Sequence, residues 1–253
     1  MKLNDKVCLI TDCGGMQGPD VATEFQKEGA IIYLQSHDLE NAKHFLSKFD
    51  LDLMDKNVHL IEADFKQRGI ADKTIDKIVA ENGRLDVLVN NNWHEHRDQP
   101  LLGISEDDWD SIVRSLFTEV FYTSKAAIKH MIPRRDGKII NCTAAAAVVP
   151  YLGYPAYSSA RFGCAGLTRA LGKELAAYNI QVNAVAQNYV ENPTYWPPEK
   201  LAKAETQDWI RNRVPIQRLA KGWEQARLVV FLASDDSDFI CGEVIRFAGG
   251  AES

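Results

Sequence analysis

The sequence predicts an α/β fold, a doubly wound parallel sheet with helices on both faces, in a single domain spanning 1–253. Three observations lead there. Short apolar runs alternate with longer amphipathic stretches along the whole chain, as strands buried on both faces alternate with the helices that cover them. The first apolar run opens into a glycine-bearing loop followed by a helix. A chain of 253 residues, 45% hydrophobic and 25% charged, fits one large α/β unit. In such a sheet ligands bind in the crevice at the carboxyl ends of the strands.

Each element follows from its own pattern. Residues 7–11 predict the first strand and 21–28 the helix beyond its loop. A strand at 31–34 and a helix at 41–49 come next, then a strand at Val58–Glu62 and a helix at 72–81. A fourth, largely apolar strand is expected at 85–90, a long helix at 106–131 and a strand at 138–142. A second long helix over 156–178 precedes a strand at 180–186. Residues 187–199 hold prolines and aromatics in no period and are expected to form a loop. Helices near 202–213 and 223–233 lead to the last strand, Val244–Phe247.

Composition excludes several classes of function. A formal charge of −6 and an isoelectric point near 5.6 argue against nucleic acid or an anionic membrane as partner. No apolar run reaches the ~20 residues that span a bilayer, and the start of the chain shows no signal-peptide pattern. Cys8, Cys13, Cys142, Cys164 and Cys241 are scattered and odd in number, which suits reduced thiols in a cytoplasm. No His, Cys or carboxylate set has metal-ligand spacing, so no metal is expected. The run Asp235-Asp236-Ser237-Asp238 reads as a solvated loop.

The loop after the first strand reads Thr11-Asp12-Cys13-Gly14-Gly15-Met16-Gln17-Gly18. Glycine lets a backbone approach a diphosphate closely. Here Asp12 brings a carboxylate and Met16 a side chain into that position. The second strand ends Leu34-Gln35-Ser36-His37, and the fourth runs into Asn90-Asn91-Asn92-Trp93. Further on, Tyr157 and Arg161 lie four apart on a predicted helix, so they share one face. A neutral tyrosine needs a nearby cation to serve as a base, and arginine stays protonated and offers a fixed fork of donors. The loop beyond residue 186 begins Gln187-Asn188-Tyr189-Val190 and continues to Tyr195-Trp196.

These motifs resemble the short-chain dehydrogenase/reductases, a Rossmann-like fold, over nearly the whole chain. That family's loop runs Thr-Gly-x-x-x-Gly-x-Gly, of which only Gly18 stands where the last glycine belongs. Its Asn-Asn-Ala-Gly stretch ends here in Trp93, its helix asparagine aligns with Leu116, and Gln187-Asn188 replaces its Pro-Gly. Within the family the chain resembles the halohydrin dehalogenases, marked by a tyrosine–arginine pair, a Thr-x4-aromatic-x-Gly loop and an Asn-Tyr loop. The resemblance implies no nucleotide cofactor. It implies conversion of vicinal haloalcohols to epoxides plus halide, and the reverse opening of epoxides by small anions. Tyr157 and Arg161 would be catalytic. Met16, Gln187, Asn188 and Tyr189 would bind the halide, and Thr11, Asn92, Trp93, Tyr195 and Trp196 would line the substrate pocket. Asn92 would also orient Arg161, and the long helices would build a homotetramer. His94 and His96 line the mouth or cover the sheet edge, and Tyr151 and Tyr154 narrow the pocket or pack beneath the loop.

The family's serine, thirteen residues before the tyrosine, is Ala144 here, whose methyl cannot hold a substrate oxygen. Thr143 is adjacent, but neighbours on a strand point to opposite faces. The alanine reads as a deliberate replacement or as natural divergence, and in either case an impaired enzyme is expected, by about 2–4 kcal/mol. Two alternatives stand beside this reading: a nucleotide-dependent short-chain oxidoreductase, and a catalytically dead sensor or scaffold.

Overall fold

The structure, a computed structural model, describes residues 1–95, 98–192 and 194–251. Seven strands, β1 (Val7–Ile10), β2 (Ile31–Ser36), β3 (Val58–Glu62), β4 (Val87–Asn90), β5 (Gly137–Ala144), β6 (Ile180–Gln187) and β7 (Val244–Phe247), form one sheet. Every pairing is parallel, in the order β3-β2-β1-β4-β5-β6-β7. The chain therefore winds outward from β1 to β3 and outward again from β4 to β7. Its switch point lies between β1 and β4, where such sheets open a crevice. The doubly wound sheet expected from the alternation is the fold observed.

The helices are α1 (Gly18–Lys27), α2 (Leu39–Leu46), α3 (Ile70–Asn82), α4 (Glu106–Val113), α5 (Glu119–Arg134), α6 (Pro155–Leu175), α7 (Pro198–Leu201), α8 (Ala204–Arg213) and α9 (Gly222–Ala233). One apolar layer joins α1 and α9 to the sheet through Phe25, Ile32, Val87 and Val229. The other joins α3 and α5 through Leu9, Ile75, Leu88 and Met131. Burial on both faces is why the strands read as apolar runs rather than alternating ones. Among the described residues no helix is long and apolar enough to cross a membrane.

Two departures from the expected elements bear on the site. The helix expected at 106–131 is broken by a π-helical segment at Arg114–Thr118, which inserts a wider turn beside Leu116. The fifth and sixth strands are longer than expected at their carboxyl ends, which brings Ala144 into register with Gln187.

Buried polar side chains fix the helix that carries the tyrosine. Asn90 donates to Asn141 Oδ1 at 2.9 Å across β4 and β5, and accepts from Thr123 of α5 at 2.7 Å. Asn141 in turn donates to Thr168 of α6 at 2.9 Å. Each amide is satisfied in the buried interior, where an unmade bond is costly. This ladder ties α5 and α6 to the two strands whose ends form the crevice.

Candidate active site

The crevice begins with the loop after β1. Asp12 and Met16, at two positions where a nucleotide loop has glycine, adopt φ of 45° and 48°. Side chains resist that left-handed conformation, at about 1–3 kcal/mol each. Asn91 holds the loop by donating to the carbonyls of Asp12 and Gly15 at 3.1 and 3.0 Å. Gln35 accepts from the Asp12 N–H at 3.1 Å. The loop thus keeps a glycine-type path without glycine at either position. Gly14 is required, because a Cβ there would fall 2.6 Å from Ala42 Cα.

Tyr157 stands in the first turn of α6, behind a proline that suits a helix start. It is buried, and so is Arg161 one turn on. The guanidinium carbon lies 5.2 Å from the centre of the Tyr157 ring. Arg161 Nη2 donates to the Asn92 carbonyl at 3.1 Å and Nη1 to the Cys142 carbonyl at 3.4 Å. The expected link from Asn92 to Arg161 therefore runs through the main chain. Lysine could not span both carbonyls with a planar fork.

A cavity of about 260 Å³ opens above this pair. Ala144, Thr143 and Tyr151 form one wall, and Met16, Asn92 and Trp93 another. Gln187, Asn188, Tyr189, Tyr195 and Trp196 close it from the loop after β6. Thr11 is not among its lining residues: it is fully buried, and its hydroxyl accepts the Asn91 N–H at 3.0 Å. Thr143 was expected to face away, yet it lines the cavity, and its buried Oγ1 has no hydrogen-bond partner. Sequence reasoning also passed over Gln17 and Lys200. A signal existed for both, since Gln17 sits in the loop after β1 and Lys200 in the short helix α7 beyond β6, in the connections where this fold places its ligands.

The presumed halide site is differently made. The Tyr189 N–H donates to Asn188 Oδ1 at 2.8 Å, and Asn188 Nδ2 donates to the Tyr151 hydroxyl at 2.9 Å. Trp93 Nε1 donates to the Tyr195 hydroxyl at 3.3 Å, bridging two loops over the cavity. His94 and Tyr154 line a neighbouring cavity of about 530 Å³ that Tyr157 also borders. His96 and Pro193 lie outside the described residues.

Met16 and Trp93 also border a second groove, about 360 Å³, floored by Asp12 and Glu119 and flanked by Ser36, His37 and Lys66. Burial, ahead of every other influence, pushes the Asp12 carboxyl up from its ordinary range. Burial, followed by the Asp12 charge, pushes Glu119 up further. Burial thus works against the ionised form of both carboxyls, the form that would repel a diphosphate. In the first cavity, both side-chain polar atoms of Gln17, Gln187 Oε1 and Arg161 Nε are buried without partners. Such groups are normally satisfied, so they suit a ligand that brings amide and hydroxyl groups.

Residues 18–252 match the family described as Enoyl-(Acyl carrier protein) reductase. The 3-oxoacyl-(acyl-carrier-protein) reductase FabG of Thermotoga maritima is 32% identical over 250 residues, covering 99% of each chain. Other curated relatives carry the same reductase name. A solved structure described as a dehalogenation enzyme superposes with a TM-score of 0.86 at 31% identity, covering 99% of each chain. Another, described as ElxO with NADP bound, gives 0.87 at 28% identity, covering 97% of this chain and 98% of that one.

The reductase relatives overturn the halohydrin dehalogenase reading. With it go the carbon–halide lyase activity and the expected independence of a nucleotide. The likeness to a dehalogenation enzyme is a shared fold at an identity no higher than that of the Thermotoga maritima reductase. The misreading has a physical origin. A glycine-poor loop and an arginine beside the tyrosine point, in sequence, to loss of the nucleotide, while the burial that raises the Asp12 carboxyl is a tertiary property.

Proposed function

Because the chain belongs to the short-chain dehydrogenase/reductase superfamily, in the family described as Enoyl-(Acyl carrier protein) reductase, we propose that it is a nicotinamide-nucleotide-dependent oxidoreductase. It would interconvert a carbonyl and a hydroxyl on a small organic substrate. One observation carries this reading: buried polar atoms without partners surround a cavity that also holds the Tyr157–Arg161 pair. Gln17 and Gln187 would hold the nicotinamide end, and Ser36, His37 and Lys66 the adenosine and phosphate end. When bound, the nicotinamide supplies or takes up the hydride at the substrate carbon.

The chain's own residues handle the proton. In the reducing direction Tyr157 gives its hydroxyl proton to the carbonyl oxygen as the hydride reaches the carbon. Hydride and proton together make the alcohol, and in oxidation both leave by the same routes. Arg161 keeps a cation over the ring that becomes negative as the proton departs. Its forked grip on the Asn92 and Cys142 carbonyls keeps it there without help from a ribose. Tyr195 and Trp93, bonded across the mouth, restrict water.

Five free cysteines, four of them buried, support a reducing compartment such as the cytoplasm. Phe121 on α5 and Phe162 on α6 are exposed, which supports association of several copies through these helices. The functional test is a titration with NADH and NADPH, followed by fluorescence and thermal shift. Nucleotide oxidation with ethyl acetoacetate, a small 3-oxo ester, completes it. Binding below about 1 mM with substrate-dependent oxidation is expected. Absence of binding by either nucleotide would sink the reading.

A further inference from the structure

A carbonyl oxygen gains negative charge as hydride arrives, and a site that holds it with one donor leaves that charge half stabilised. Tyr157 is one donor. The position thirteen residues earlier, Ala144, offers only a methyl group. The second hydrogen bond must come from another side chain that reaches the same volume.

The geometry places a second phenol there. Ala144, Tyr151 and Tyr157 belong to one packed cluster and line the same cavity. Tyr151 is tied to the start of α6 by its main-chain N–H, which donates to Ser158 Oγ at 3.2 Å, one residue past Tyr157. Its ring is set edge-on against Tyr154, with centroids 6.5 Å apart and planes at 84°. At the other end, its hydroxyl accepts from Asn188 Nδ2 at 2.9 Å. Asn188 is itself anchored, its N–H donating to the Phe247 carbonyl at 3.0 Å. It follows Gln187, the residue in register with Ala144. The Tyr151 hydroxyl is therefore held beside the strand end that bears the alanine.

The direction of the Asn188 bond matters. An amide N–H can only donate, so the Tyr151 oxygen accepts and its own proton turns elsewhere. Accepting one hydrogen bond also strengthens the next one donated along the chain. A tyrosine side chain is long enough to serve from outside the position of a serine, and tyrosine is an effective donor to a developing oxyanion.

We infer that Tyr151, set by Asn188, donates the second hydrogen bond to the substrate oxygen in place of a residue at 144. Tyr151 is then a catalytic residue and Asn188 a positioning residue. The inference rests on the oxidoreductase reading and names a member of that same site.

The test compares the parent with Tyr151→Phe, Asn188→Ala, Ala144→Ser and the double variant Tyr151→Phe/Ala144→Ser. Each is assayed for NADPH affinity and for ethyl acetoacetate reduction. Tyr151→Phe is expected to keep its NADPH affinity and its KM within about threefold while kcat falls about 100-fold. Asn188→Ala should lose less, about tenfold. In the double variant the serine should restore kcat to within about tenfold of the parent, a rescue that a purely structural role for Tyr151 would not give. A Tyr151→Phe protein as active as the parent overturns the inference. So does a parent that binds NADPH yet turns over only after Ala144→Ser, because the alanine would then be uncompensated. If Thr143→Val abolishes kcat and Tyr151→Phe does not, the threonine is the donor and the inference falls. Absence of nucleotide binding by every variant marks the failure of the functional reading instead.

Discussion

The two halves of the strand-end crevice are built from opposite materials. Around Tyr157 and Arg161 the described polar lining residues are amides, hydroxyls, a thiol and two cations beside aromatic and aliphatic side chains, with no carboxylate. Across Met16 and Trp93, the second groove is floored by Asp12 and Glu119 and edged by Asp38, with Lys66 and His37 facing them. The first half carries its cations on Arg161 and Lys200. The charge of the second depends on whether two buried carboxyls hold their protons. Proton chemistry and nucleotide affinity should therefore respond to different variables, although both operate in one crevice.

The largest effect that could break this division comes from the first half. Tyr157→Phe removes the only proton the mechanism assigns to the site and leaves the ring's packing intact. Turnover is expected to fall by at least about 1,000-fold, within the usual range for a positioned acid or base. NADPH affinity should stay within about threefold of the parent. A comparable loss of affinity in a fluorescence titration would mean that the two halves are not separable.

A smaller effect sharpens the division from the other side. Raising the pH through the elevated range of Asp12 and Glu119 places negative charge beside a diphosphate, so nucleotide affinity should weaken as pH rises. Below that range both carboxyls are protonated and affinity should level off. Asp12→Asn, which is neutral throughout, should flatten the profile, with about a tenfold gain in affinity at the alkaline end. Calorimetric titration at several pH values checks this, and an unchanged slope in Asp12→Asn would remove Asp12 from the account.

The same contrast explains what was legible in the sequence. Strands such as Val58–Glu62 and Val244–Phe247 could be read to the residue, although these two edge strands are only partly buried. The tyrosine–arginine pair was legible too, since spacing on a helix determines its geometry. The π-helical segment at Arg114–Thr118 was not, because no glycine or proline marks it. Thr11 has the right residue type for a pocket, yet it spends its hydroxyl on the Asn91 N–H behind the loop. The burial of Asp12 was not legible either. Its charge was inferred from residue type, but charge state in an interior belongs to the surroundings, which come from β2, α5 and the loop after β4 together.

A half-buried acid outside the crevice gives the smallest and cleanest reference for that last point. Asp20 stands in the first turn of α1, packed against Gly222 at the start of α9, where a Cβ would collide with its carboxylate. Burial first, then the charges of Glu24 and Glu191, push its carboxyl up to about 7. The unfolded chain ionises near the ordinary value of 3.8. Folding thus disfavours the charged form, and the stability present below pH 4 is lost as pH rises toward 7. Asp20→Asn lacks that titration. It should melt about 2–4 °C above the parent at pH 8, equivalent to ~1 kcal/mol after allowing for partial exposure, with the gap closing by pH 4. Differential scanning calorimetry at the two pH values separates the outcomes. A gap that persists at pH 4 would mean that packing against Gly222, rather than charge, governs this acid. The same caution would then extend to Asp12 and Glu119, and the case for a pH-dependent groove would have to rest on the nucleotide titrations alone.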